Sequence, residues 1–448
     1  MFKTFMNALK VKDLRRKFIY TFVCLLIVRF GSQLLIPGVD SEQVQAWFDS
    51  FAAADFFDAF TGGSFSNLSI FALSITPYIT SSIIMQLLTI AIPKLEEMQK
   101  DGEDGRKKIA EITRYVTVIL AIIESLAMAI GFTNQGYVTG DWKTIAMMVV
   151  SMTAGSAFLM WLGENITEKG IGNGISIILL INIVSRIPTD MVTLYSQFIS
   201  GADSTINAVI GAVVIIAVIV FIVAFVIVLS DGERRIPVQY AKKVQGRRQV
   251  GGQATYIPLK VNTAGVIPVI FTTSLLQLPI IISQLFGVTA NSGLDADGNP
   301  VSFWEKMLKV MTTSAWFNFS SFGEFKYTIG ILLYIFLLIF FAYFYTSITF
   351  NPIEVANNMK KQGGFIPGIR PGKPTQEYLT GVLNCIIFIG AAGLTVVAVV
   401  PIFFEGCFDA MVSFGGTSMI IIVGVILETM KQVESQMLVR HYKGFLNS

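Results

Sequence analysis

Two long, uncharged and mainly apolar stretches, Ile206–Leu229 and Ile329–Ile348, constrain this chain more than any other feature. Each is long enough to cross a bilayer, which takes about 20 residues. The rest of the chain follows suit. Of its 448 residues, 53% are hydrophobic and only 14% charged, where a soluble domain carries about 25% charged residues, and the mean hydropathy is +0.65. The pattern predicts an all-α, polytopic membrane protein with ten spans at roughly 18–36, 70–92, 115–132, 145–162, 174–195, 206–229, 264–286, 329–349, 379–401 and 416–433. The fourth and fifth are separated only by a short charged link, Gly163 to Asn173. The first apolar run begins at Phe18, has full span length and lacks a small-residue cleavage site, so no removable signal peptide is expected.

The connecting segments supply an orientation. Residues 1–17 hold six Lys/Arg, 94–114 six, 230–263 seven, 351–378 four and the tail from 431 three. Residues 30–93 hold none after Arg29 but carry Asp40, Glu42, Asp49, Asp55 and Asp58. The other side of the membrane keeps only Lys143, Arg186, Lys306, Lys309 and Lys326. Lysine and arginine accumulate on the cytoplasmic side, so both termini are expected there.

The chain also repeats itself. PYITSSIIMQL (Pro77–Leu87) aligns with PVIFTTSLLQL (Pro268–Leu278), sharing Ile at the third position, a hydroxyl pair at the fifth and sixth, then Gln-Leu. The first copy lies in span two and the second in span seven, the same place in two five-span halves. Because five is odd, the halves have opposite orientation, which is the signature of an inverted repeat. Chance likeness of apolar segments is the alternative, and the coincidence with the midpoint of the topology favours the repeat. A proline within a span frees a carbonyl that lipid cannot satisfy. Pro77 and Pro268 therefore predict helices lining an interior, with an ordinary packed kink as the alternative.

Such an interior suits either a channel or an inverted-repeat secondary transporter of a small solute. Transporters of charged solutes keep ionisable groups at mid-membrane. Here the spans are nearly bare: Arg29 sits in span one, Glu124 in span three and Glu428 near the end of span ten, and pairing with one another is the structural expectation for these three. The candidate path is aliphatic, and an apolar constriction can gate by dewetting. Cys24, Cys385 and Cys407 show no metal or disulfide spacing, and His441 is the sole histidine. There is no GxxxxGK[ST] phosphate loop, nor paired aspartates or a Ser–His set within the spans for an intramembrane protease. No enzyme activity, metal or cofactor is expected. The basic loops 230–263 and 351–378 exceed what topology needs and have Gly/Pro turns; they suit an acidic partner such as ribosomal RNA or lipid headgroups.

Six stretches in order carry a specific resemblance: LIPGVD (35–40), FTGGSFSNLSIFALSITPYITSSIIMQLL (60–88), MWLGENITEKGIGNGISI (160–177), QGRRQVGGQATYIPLKVNTAGVIPVIF (245–271), FNPIEVANNMKKQGGFIPGIRPGKPT (350–375) and FGGTS (414–418). The chain closely resembles the bacterial SecY family, the central subunit of the Sec protein-conducting channel. The resemblance implies a cytoplasmic N-terminal segment (1–17), a first five-span half (18–195), a second (196–433) and a cytoplasmic tail (434–448), closed like a clamshell around an hourglass pore. It implies a pore ring of Ile75, Ile79, Ile175, Leu179, Ile270 and Ile421, with Leu179 where relatives often have Ile. It implies a plug helix at about 53–67, with Phe56, Phe57, Phe60 and Asn67 and with Gly62 and Gly63 letting it bend. A plain external amphipathic helix is the alternative there. It implies a lateral gate along Thr80, Ser81, Ser82, Thr272 and Thr273, whose polar side chains keep the contact weak. It implies SecA and ribosome contacts at Arg247, Arg248 and Arg370. The expected partners are SecE and SecG, the SecA ATPase, the ribosome, signal sequences and unfolded polypeptides, and lipid. The expected location is the bacterial cytoplasmic membrane. The external segment 287–328, with NSGLDADGNP at 291–300, is longer than in many relatives and carries no expectation.

Overall fold

The structure is a computed structural model that describes residues 10–37, 58, 61–134, 141–200, 205–240, 243–245, 248–250, 254–285, 302–312, 316, 328–408 and 416–446. It is mainly helical. The first part contains α1 (Lys12–Gly31), α2 (Thr76–Ala91), α3 (Pro93–Lys100), α4 (Glu103–Asn134), α5 (Trp142–Lys169) and α6 (Gly174–Leu194), the last prolonged by a π-helical turn, Tyr195–Ser200. The second contains α7 (Thr205–Asp231), α8 (Ile267–Leu285), α9 (Phe303–Met311), α10 (Ile329–Thr349), α11 (Pro352–Lys361), α12 (Lys373–Phe408) and α13 (Gly416–Leu446). Each predicted span overlaps one of these helices.

Six of them, α4, α5, α6, α7, α10 and α12, are long and apolar enough to cross a membrane, and α2 with α3 makes a seventh if the bent pair counts as one span. The bend is 101°. Its cause is local: Ile92, held extended (φ −112°, ψ 111°) by the following Pro93, cannot continue the helix. Helix α1 shows why apolarity on both faces matters. Thr21, Cys24, Val28 and Gly31 form its buried stripe, while Phe22 and Phe30 on the other side are 62% and 70% exposed. A helix apolar on both faces suits lipid rather than water.

The short link between the fourth and fifth predicted spans is a true break. Helix α5 ends at Lys169, and α6 restarts at Gly174 under an N-cap: the Asn173 side chain accepts the Ile175 amide at 3.1 Å. Gly174 is required because a Cβ there would collide with the Gly163 carbonyl. The Ile171 amide donates to Thr21 Oγ1 at 3.2 Å, tying this turn to α1.

Pro77 and Pro268 each occupy the second position of their helices, α2 and α8. They break nothing, because the first turn has no intrahelical acceptor for the amide that proline lacks. The expectation of mid-span breaks is corrected accordingly. The matched sequence positions nevertheless fall at matched helix positions, as a repeat requires. Residues 70–75, assigned to span two, are instead buried turns, with Leu68 and Ser74 at positive φ (42° and 51°). Irregular backbone at such a site is tolerated only inside protein.

The all-α expectation also needs an addition. The 230–263 segment folds as a ribbon of β1 (Glu233–Tyr240) against β4 (Ala254–Lys260), antiparallel from Glu233↔Lys260 to Gln239↔Ala254. A smaller hairpin, β2 (Lys243–Gln245) with β3 (Arg248–Val250), lies between them in sequence. From the other basic loop, β5 (Gly364–Phe365) pairs with β1 through Gln239↔Phe365 and Tyr240↔Gly364. Alternation on β1 turns Ile236 and Val238 inward onto Leu259, Ala356, Met359, Ile366, Leu379 and Ile386. The two basic loops are therefore one packed unit.

Candidate functional site

The six aliphatic residues expected to form a ring come from both halves of the chain. Ile75 caps α2, Ile79 lies on it, Ile175 and Leu179 are on α6, Ile270 on α8 and Ile421 on α13. All six belong to one apolar cluster. Ile75, Leu179 and Ile421 are buried within it, and Ile79, Ile175 and Ile270 pack half-buried against it. Cys24 and Val28 of α1 and Leu159, Leu162 and Ile166 of α5 are buried in the same cluster. Such a surface offers no hydrogen bond to a passing polar chain, and it is unfavourable for water and ions.

Beside this cluster lies the segment around Gly62. Asp58 and residues 61–67 of the expected plug are described; Phe56, Phe57 and Phe60 fall outside the described residues. Two arginines hold this segment. Arg186 of α6 pairs with the Asp58 carboxylate at 2.5 Å, where Asp58 is buried. The same carboxylate accepts the Ser66 amide at 3.0 Å and the Thr61 hydroxyl at 3.3 Å. Arg29 of α1 donates through both terminal nitrogens to the Gly62 carbonyl, each at 3.2 Å. Above the cluster, the Asn182 amide donates to the Ser74 hydroxyl at 3.1 Å. Asn67 is half-buried.

The two glycines differ. Gly63 (φ +85°) has open space around it. Gly62 (φ +67°) has none: a Cβ would meet Arg29 Nη1 and the Asn182 backbone at 2.8 Å. The expectation that both serve flexibility is therefore corrected for Gly62, which is there for close approach. The expected pairing among Arg29, Glu124 and Glu428 is also corrected. Arg29 is satisfied by Gly62, Glu428 is exposed, and Glu124 is buried with both carboxyl oxygens lacking a hydrogen-bond partner among the described residues. Arg186 was missed in the sequence, where it reads as one stray external charge. Its signal was a cation, one of few, on the side of the membrane that holds the five acids.

The hydroxyls expected along a gate are buried rather than wet. Thr80, Ser81, Thr272 and Thr273 are buried and Ser82 is half-buried. Thr272 donates to the Pro268 carbonyl at 2.8 Å and Thr273 to that of Ile270 at 3.0 Å. Ser81 joins Thr117 at 2.5 Å, linking α2 to α4. What packs between α2, α8 and α10 is Ile83, Phe271 and Phe341, the two rings edge-on with centroids 5.6 Å apart. Apolar packing thus lies beside the buried hydroxyls in this contact.

On the ribbon, Arg235 pairs with Glu233 at 2.6 Å and covers the Tyr256 ring at 4.9 Å. The hydrogen bond to Glu233 pushes the Arg235 pKa up. Arg248 starts β3 opposite Gln245, and Arg247 lies outside the described residues. Arg370 is exposed, its carbonyl accepting the Thr375 hydroxyl at 2.8 Å.

Bundled apolar helices around a buried aliphatic cluster, with a basic unit joined to their ends, define a multi-pass membrane protein. The SecY family model matches residues 69–430. Curated relatives named protein translocase subunit SecY include that of Halalkalibacterium halodurans, 44% identical over 453 residues, and that of Streptomyces coelicolor, 44% identical over 463; both alignments cover all of each chain. The Bacillus subtilis relative of the same name is 40% identical over 456 residues, again across both full lengths. Among solved structures, a protein-conducting channel aligns with TM-score 0.59 at 18% identity, covering 94% of this chain and 92% of that one. Sec61 in the canine ribosome–channel complex aligns with TM-score 0.58 at 16% identity and the same coverage. The chain belongs to the SecY family.

Proposed function

We propose that this chain forms a protein-conducting channel, built from ten spans in two inverted five-helix halves around an hourglass pore. The reading is supported by one observation above others. Six aliphatic side chains that lie far apart in sequence, on α2, α6, α8 and α13, converge in a single apolar cluster. Ile75, Ile79, Ile175, Leu179, Ile270 and Ile421 would form the waist that seals against ions when no polypeptide is present. The segment at about 53–67, held by Arg29 and Arg186, would close the external side as a plug. Separation of α2 and α4 from α8 and α10 would open a lateral gate along Thr80, Ser81, Ser82, Thr272 and Thr273 for membrane-bound helices. The channel is passive, so its driving energy comes from a partner, the SecA ATPase or the elongating ribosome. These would dock on the ribbon unit through Arg247, Arg248 and Arg370. SecE and SecG complete the assembly in the bacterial cytoplasmic membrane, with both termini cytoplasmic.

Reconstitution tests this. The chain is placed in liposomes with SecE- and SecG-type subunits, and SecA, ATP and a secretory preprotein are added. ATP-dependent protease protection of the preprotein is the expected result. Its absence, with the partners active beside an authentic channel, would refute the reading and redirect the search to solute transport.

A further inference from the structure

Helix α9 lies in the stretch joining α8 to α10, and no part of the channel arrangement uses it. It is nine residues, FWEKMLKVM. One side mounts it on the protein. Leu308 is buried, and Glu305 closes a capping box, accepting the Ser302 amide at 3.1 Å. At the far end the Val310 carbonyl accepts the Trp316 indole at 2.9 Å and lies against Gly330, where any Cβ would collide with it. Trp316 is buried, its ring 5.8 Å from that of Tyr334. The helix is therefore fixed on the first turn of α10.

The other side is bare. Phe303 is 75% exposed, Trp304 63% and Met307 37%. At 100° per residue these three fall within an arc of about 100°. Lys306, also exposed, flanks that arc. Two further observations say what covers it. Next to Gly330, the docking point, Ile329 begins a stripe of exposed apolar residues, Ile329, Leu332, Phe336 and Phe340, that runs down α10. The bare arc thus continues the lipid-facing surface of a spanning helix. Aromatic side chains with a lysine at their edge also match the boundary between acyl chains and anionic headgroups.

We propose that α9 is an interfacial helix that lies in the outer-leaflet boundary, with Phe303, Trp304 and Met307 immersed and Lys306 at anionic lipid phosphates, tying the outer end of α10 to the membrane surface. The proposal rests on the topology that puts residues 287–328 outside. Single cysteines Phe303→Cys, Lys306→Cys and Met307→Cys are made with Cys24, Cys385 and Cys407 changed to Ser. Each full chain is spin-labelled and reconstituted in phosphatidylethanolamine–phosphatidylglycerol vesicles. Power saturation then compares oxygen with a water-soluble nickel chelate. The expected result is a severalfold higher oxygen-to-nickel collision ratio at 303 and 307 than at 306. Equal, water-like ratios at all three would overturn the proposal. So would labels at 303 and 307 shielded from both reagents, which would mean a protein covers the face. Sidedness is read separately: an impermeant maleimide added to intact cells should react with Lys306→Cys. Reaction only after permeabilisation would refute the topology, whatever the depth measurement gave.

Discussion

The guanidinium of Arg186 on α6 lies 2.5 Å from the carboxylate of Asp58, two residues 128 positions apart that fix an otherwise irregular segment against the bundle. Asp58 has 1% and Arg186 20% of its side-chain surface exposed. Removing one partner of a buried pair costs about 3–5 kcal/mol, because the other is left charged and unpaired. Solvent reaches Arg186, so the lower end applies. Arg186→Ala should therefore speed hydrogen exchange at the Ser66 amide, which donates to Asp58, on the order of 100-fold. Exchange mass spectrometry in nanodiscs reads this directly. An unchanged Ser66 rate would show that Arg186 does not hold the segment.

Gly62 and Gly63 share a left-handed backbone, yet only Gly62 is crowded. A non-glycine residue in that conformation costs about 1–2 kcal/mol. Gly63→Ala should lose that much and no more. Gly62→Ala must also displace Arg29 or the Asn182 backbone, so it should lower the thermal midpoint clearly further. Equal shifts for the two variants would mean that the Gly62 contact is slack.

If the aliphatic cluster seals a pore, thinning it should leak. Ile79→Gly combined with Ile270→Gly is expected to raise the ion conductance of the resting channel in planar bilayers. Leu159→Ala is the control: Leu159 is buried in the same cluster but is not one of the six proposed ring residues. It should destabilise by about 2–5 kcal/mol while conductance stays near baseline. Leakage in the control but not in the double glycine variant would reverse the assignment of ring and support.

Much of this was legible in the sequence, because two strong periodic signals carried it. Apolar runs located the helices, and the Pro77/Pro268 repeat matched two positions that prove equivalent in α2 and α8. The six ring residues follow from the family resemblance, with Ile79 and Ile270 also reached from the repeat itself. What escaped reading depends on contacts without a local signal. Arg186 meets Asp58 only once α6 is placed beside the turns before α2. The ribbon was hidden because Gly, Pro and charged residues in 230–263 read as loop, and strand pairing with residues 364–365 is non-local. The prolines misled because their cost depends on helix position: α2 starts at Thr76 rather than 70 and α8 at Ile267 rather than 264, which puts each proline in the first turn.

The ribbon unit should behave as one piece. Val238 is fully buried in the small core that joins both loops. Val238→Asp buries a charge without a partner, which is strongly destabilising. It should therefore expose residues 351–378 to trypsin at Lys360 and Lys361. Gln239→Asp, on the exposed side of the same strand, should leave the digestion pattern unchanged. If Val238→Asp also left it unchanged, the two loops would not depend on each other in solution.

Arg370 separates folding from partner contact. Its side chain is exposed, and only its carbonyl is engaged, by Thr375 at 2.8 Å. An exposed charge contributes little to stability, about 0–1 kcal/mol. Arg370→Glu should thus keep the wild-type melting midpoint and trypsin pattern. In the reconstituted system it should nonetheless abolish most SecA-driven preprotein protection, because a cation meant for an acidic partner surface becomes a repelling anion, a reversal worth several kcal/mol at a close contact. Arg370→Lys should keep part of the activity, since the charge survives while the planar fork is lost. Normal transport by Arg370→Glu would remove this loop tip from the docking surface, whereas equal loss in the Glu and Lys variants would mean that the guanidinium geometry, not the charge, is what the partner reads.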